Sequence, residues 1–95
     1  MKKLLLAFTI LTTPAFANPV CVSIADIGEG IAGMQQHGIS REETKRLTLA
    51  KIGENDLIFA MIDTIYDNIP IGSTSEQMDF IIQEVWNMTY KACVE

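Results

Sequence analysis

The groups in this 95-residue chain with the means to do chemistry are two cysteines, one histidine and twelve carboxylates. Cys21 and Cys93 lie near the two ends of the stretch from Asn18 to Glu95. Redox-active pairs stand close together, as in C-x-x-C, and these do not. Their placement predicts a structural disulfide that ties the termini of one small domain. His37 is the single histidine. Zinc sites draw on several His and Cys ligands, and a Ser-His-Asp arrangement would rest on this residue alone. Its expected role is structural, as a cation in the last turn of a helix, where it complements the dipole.

Gly28-Glu29-Gly30-Ile31-Ala32-Gly33 matches G-x-G-x-x-G letter for letter. In a dinucleotide site those glycines follow a strand and open a helix within a βαβ unit. Here they fall inside a helical pattern, so the match is read as chance. Gly28 and Ala32 are instead expected to let another helix approach. Asn87-Met88-Thr89 fits a glycosylation acceptor but sits in mid-helix. The acidic residues are spread along every helix with no D-x-D-x-D-G run, so they read as solvated surface and not as a calcium loop. No catalytic residue, cofactor site or metal site is expected, and the chain is not expected to be an enzyme.

Charge and export narrow the class further. Lys2 and Lys3 precede an apolar run from Leu4 to Leu11, then Pro14 and the small-residue site Ala15-Phe16-Ala17. These are the parts of a secretory signal peptide, in order, over residues 1–17. The run is far short of the roughly 20 residues of a membrane span. The short signal has a bacterial form, which predicts a periplasmic or secreted protein, in a compartment where disulfides persist. Without Lys2 and Lys3, five cations face twelve carboxylates. That balance argues against nucleic acid, which needs a basic face, and against an anionic membrane surface. Residues 18–95 make a single domain with a modest core, the size at which a covalent staple is useful.

The elements that would position these groups are four helices. The first is expected from Pro19 to His37, with Val20, Ile24, Ile27, Ile31 and Met34 on one face. Gly38 supplies its C′ residue, and Ile39 folds back as in a Schellman cap. Ser40 opens the second helix in a capping box with Glu43, and Gly53 stops it near Ile52. Its divided apolar face, Leu47 and Ala50 against Leu49 and Ile52, predicts the most exposed helix. The third begins near Asn55 or Asp56 and ends near Asn68. It is apolar over most of its circumference from Leu57 to Ile62, which predicts a central position. Pro70 forbids further helix, and residues 69–72 form a turn. The fourth is expected to start at Ser73 in a capping box with Glu76. Met78, Ile81, Ile82, Val85, Met88 and Ala92 make its stripe. The predicted fold is all-α: a small four-helix domain with its termini tied by Cys21–Cys93.

A Cys opening the first helix, the junction Met34-Gln35-Gln36-His37-Gly38-Ile39-Ser40, the turn Ile65-Tyr66-Asp67-Asn68-Ile69-Pro70 and the ending Tyr90-Lys91-Ala92-Cys93 form a pattern. It resembles a group of short secreted two-cysteine helical proteins of bacteria and their phages. That resemblance implies the same tied helical fold and no catalytic residues. A second, architectural analogy is to the periplasmic acid-stress chaperones, which are also small, helical and held by one disulfide. Phe80 and Trp86 fall off the fourth stripe, on different sides, so an exposed aromatic available to a partner is expected at Phe80. The functional expectation is a non-catalytic binding protein with a periplasmic or envelope protein as partner. The alternative is an acid-stress chaperone.

Overall fold

A computed structural model describes residues 18–95. The expected signal peptide and its cleavage point lie outside the described residues. Four helices succeed one another: α1 (Pro19–Gln36), α2 (Arg41–Ile52), α3 (Asp56–Asn68) and α4 (Ser75–Val94). Cys21 and Cys93 are bonded, with their Cα atoms 5.6 Å apart, and tie the first turn of α1 to the last turn of α4.

The helix ends obey local chemistry. Asn18 caps α1, its Oδ1 accepting from the amides of Val20 at 2.9 Å and Cys21 at 3.2 Å. Pro19 takes the first helical position, where its missing amide costs nothing. At the other end Gly38 adopts φ 86°, its amide reaches the Gln35 carbonyl, and the Ile39 amide reaches the Met34 carbonyl. That is the Schellman closure. Ser40 and Asn55 cap α2 and α3 through the amides of Glu43 and Ile58.

α4 departs from expectation by one residue of phase. Its cap is Thr74, which accepts from the Gln77 amide at 3.1 Å, and not Ser73. The Gln77 Oε1 accepts from both the amide and the hydroxyl of Ser73 at 2.8 and 2.9 Å. Gln77, and not Glu76, therefore makes the return contact.

The buried faces differ more. Of the expected α1 stripe only Ile31 is buried, and Val20 is 65% exposed. The face that packs is made of Cys21, Ala25, Gly28 and Ala32. Short side chains let two helix axes approach closely, so a seam of them takes the place of the isoleucine stripe. α1 and α4 are accordingly the most closely packed pair. The central position expected of α3 belongs to α1, which packs closely on all three other helices, while α3 approaches only α1 and α2. α3 still contributes Ile58, Ile62 and Ile65 to the core, buried beside Ile31, Ala32 and Val85. α2 packs on α1 and α3 through Thr44 and Thr48, while Leu47, Leu49 and Ile52 face outwards. The reason is a relay of hydrogen bonds. The Tyr66 hydroxyl donates to the Ile39 carbonyl at 2.6 Å, so the buried Thr44 hydroxyl donates to Tyr66, also at 2.6 Å.

Two buried glutamines hold the α3–α4 connection. Gln35 Nε2 donates to the carbonyls of Ile69 at 2.7 Å and Ile65 at 3.3 Å. Gln36 Nε2 donates to the Pro70 carbonyl at 2.9 Å, and its Oε1 accepts from the Gly72 amide at 2.8 Å. The amides thus satisfy the carbonyls of Ile69 and Pro70, just past the end of α3, and share the Ile65 carbonyl with the Ile69 amide. Gly72 has no room for a side chain, since a Cβ there would stand 2.9 Å from the Met78 amide nitrogen.

Candidate functional site: an apolar groove between α3 and α4

α3 and α4 both pack on α1, yet no Cα of one comes within 8 Å of the other. Between them runs an open groove of about 550 Å³. Leu57, Ala60, Met61 and Thr64 line it from α3, and Val85, Met88, Thr89 and Ala92 from α4. Ile24 of α1, Ile65, Ile69 and Cys93 complete the lining. Leu57 is 56% exposed and Met88 50%. Of the apolar stripe expected to bury α4, only Val85 is fully buried; Ile81 and Ile82 pack half-buried against the core, and Met88 and Ala92 line this groove. Likewise the all-round apolar character of α3 reflects two uses: one side in the core, the other in the groove wall.

The lining sets the chemistry. Its only side chains with a free polar atom are Thr64 and Thr89, and Cys93 is held in the disulfide. The lining carries no acid or base beside those two hydroxyls, and its apolar surface suits it to holding another apolar surface by removing it from water.

Phe80 stands 66% exposed on α4, one turn before Glu84. It lines a second, shallower depression of about 460 Å³ with Pro70, Ile71 and Ile81. Ile71 is 60% exposed, so the aromatic has an apolar neighbour at the surface. Trp86 serves differently. It stacks on Tyr90 at 5.2 Å and donates from Nε1 to Asp26 at 2.8 Å, which holds α4 to α1. His37 caps α1 and is exposed. Among the described residues no three His, Cys, Asp or Glu side chains gather as a metal ligand set. The three glycines of the G-x-G-x-x-G match separate by role. Gly28 is buried beneath α4, whereas Gly30 and Gly33 face open space.

Charge is segregated around the groove. The walls α1, α3 and α4 hold eight carboxylates and one cation, Lys91. Among the described residues the other four cations, Arg41, Lys45, Arg46 and Lys51, all sit on α2, which packs on α3. There Lys45 meets Asp63 at 2.9 Å, while Arg41 meets Asp63 at 3.3 Å and also pairs with Asp67. The Lys45 ammonium, with Arg41 beside it, holds the Asp63 carboxyl below its ordinary pKa. Within α2, the Arg46 guanidinium does the same for Glu43. Nothing in the sequence marked the groove as such. The signal available was the excess of apolar positions on α3 over what one buried face requires.

No protein-family model matches the chain, and no curated protein or solved structure shows significant similarity to it. Among the described residues no helix is long and apolar enough to cross a membrane.

Proposed function

We propose that this is a non-catalytic binding protein, exported by residues 1–17 to the periplasm or beyond, whose groove between α3 and α4 receives a periplasmic or envelope protein. The observation that carries this reading is the groove itself. Two helices share a support and leave Leu57 and Met88 half in water, where α3 and α4 could have closed on each other. Exposed apolar surface held in a concave shape is what binding sites use. Phe80 and Ile71 extend the contact surface beyond the groove. The disulfide suits an oxidising compartment, and the signal-like start supplies the route to it.

The test uses a neutral apolar fluorophore, N-phenyl-1-naphthylamine. Its emission should rise on mixing with the native protein and fall back when Met88→Glu puts a charge in the groove. Circular dichroism should show the variant folded, because Met88 is half exposed. No rise with the native protein, or the same rise with the variant, would remove the groove from the function.

A second reading, an acid-stress chaperone, draws on one cluster. α2 is held to α3 partly by Arg41 and Lys45 on Asp63 and Asp67, and acid discharges Asp63 as pH falls through its lowered pKa. Release of α2 would uncover apolar surface of α3. Suppression of client aggregation at low pH, absent near neutrality, is its expected signature.

A further inference from the structure

The groove has an acidic frame, and that restricts what fills it. We propose that its occupant is a basic amphipathic helix of a partner protein, an inference that rests on the groove being the binding surface. Three features point to that chemistry. The first is shape. The groove and the Phe80 depression succeed one another along α4 from Gln77 to Cys93, which at helical rise is roughly 24 Å, the length of about 16 helical residues. The second is the lining, which is apolar and long-chained at Leu57, Met61 and Met88, the surface on which an i, i+3, i+4, i+7 face settles.

The third is charge. Asp63 and Asp67 turn towards α2 and are held there by its cations. Asp56 and Glu84 enter no ion pair among the described residues. Asp56 stands one turn before Ala60, and Glu84 one turn before Met88, so each flanks a groove residue on its own helix. Lysines or arginines beside an apolar helix face would meet them at the rim. Rim charges of this kind set partner choice and association rate. Lys91, beside Ala92, is the one cation on these walls, so the net negative charge around the groove disfavours fatty-acid carboxylates, lipid phosphates and the acidic α1, α3 and α4 surfaces of a second copy of this chain.

The experiment titrates the disulfide-bonded protein with two synthetic 16-residue amphipathic helices of identical leucine face, one flanked by lysines and one by glutamates. Calorimetry at low and at physiological salt should show the lysine peptide binding, weakening as salt rises. The glutamate peptide should bind about tenfold more weakly or not at all. Glu84→Lys should weaken the lysine peptide about fivefold with the melting temperature little changed, and Ala60→Trp, which fills the groove, should abolish binding. Equal binding of both peptides overturns the charge argument. Displacement of N-phenyl-1-naphthylamine by a fatty acid but by neither peptide makes the occupant an acyl chain. A concentration-dependent dimer lost in Ala60→Trp makes it a second copy. In all three cases the groove remains the site and the proposed partner falls. If neither the fluorophore nor any peptide binds, the groove reading falls with it.

Discussion

Gly28 of α1 lies directly beneath Thr89 of α4, so that a Cβ on the glycine would stand 2.9 Å from the threonine Oγ1. This contact, together with the disulfide one to two turns away, sets how closely α1 and α4 approach, and hence where the α4 wall of the groove stands. Gly30 and Gly33, on the same helix, face open space. The three glycines should therefore answer differently to alanine. Gly30→Ala should stabilise by about 0.5–1 kcal/mol through helix propensity. Gly28→Ala should lose that gain to the clash and come out neutral or destabilising, with stability restored in the Gly28→Ala, Thr89→Ala double variant. Thermal melts of the four proteins check this, and equal gains at Gly28 and Gly30 would mean that α4 is not seated there.

Breaking the tie should cost more. Cys21→Ser opens a loop that spans nearly the whole domain, and the chain-entropy argument gives a loss of about 4 kcal/mol. Denaturant unfolding measures it. Thiol labelling of the native protein should find no free cysteine.

Two residues of α3 separate core from groove. Ile62 has no exposed surface, and Ile62→Ala should cost about 2–5 kcal/mol. Leu57 is more than half exposed in the groove wall. Leu57→Ala should cost under about 1 kcal/mol and instead reduce fluorophore binding. Comparable losses of stability at both positions would mean that the groove is closed in solution.

The glutamine lock is a further target. Gln36→Ala leaves the part-buried Pro70 carbonyl and Gly72 amide without their partner, a loss of about 0.5–1.5 kcal/mol for each hydrogen bond. Hydrogen exchange should accelerate first at Gly72 and in the first turn of α4.

Acid should loosen α2 before the rest. The folded-state pKa of Asp63 lies below its ordinary value of 3.8, through Lys45 first and Arg41 second. A depressed pKa stabilises the fold above the unfolded-state value, and that contribution is lost as pH falls through the folded-state value. Amide exchange in α2 should rise below the ordinary aspartate range while α1 and α4 stay protected. Asp63→Asn should weaken α2 docking near neutrality and flatten this pH dependence.

Four helices, most of their caps and the pairing of Cys21 with Cys93 are readable from the residues alone. The reason is that those features are local or nearly unique. A cap is settled by groups within four positions, as at Ser40 with Glu43 or Gly38 with Gln35, and two cysteines admit one intramolecular pair. Which surfaces meet is another matter. Hydropathy favours Val20, Ile24 and Ile27 as the buried side of α1, yet the small residues Cys21, Ala25, Gly28 and Ala32 are buried, because the gain from close approach depends on what α4 places opposite them. Thr44, Gln35 and Gln36 look like surface residues until their partners, Tyr66 and the carbonyls around Pro70, are brought beside them from 22 or more positions away. The groove is the furthest from sequence. Leu57 and Met88 read as core, and only the separation of α3 from α4 on their shared support leaves them facing water.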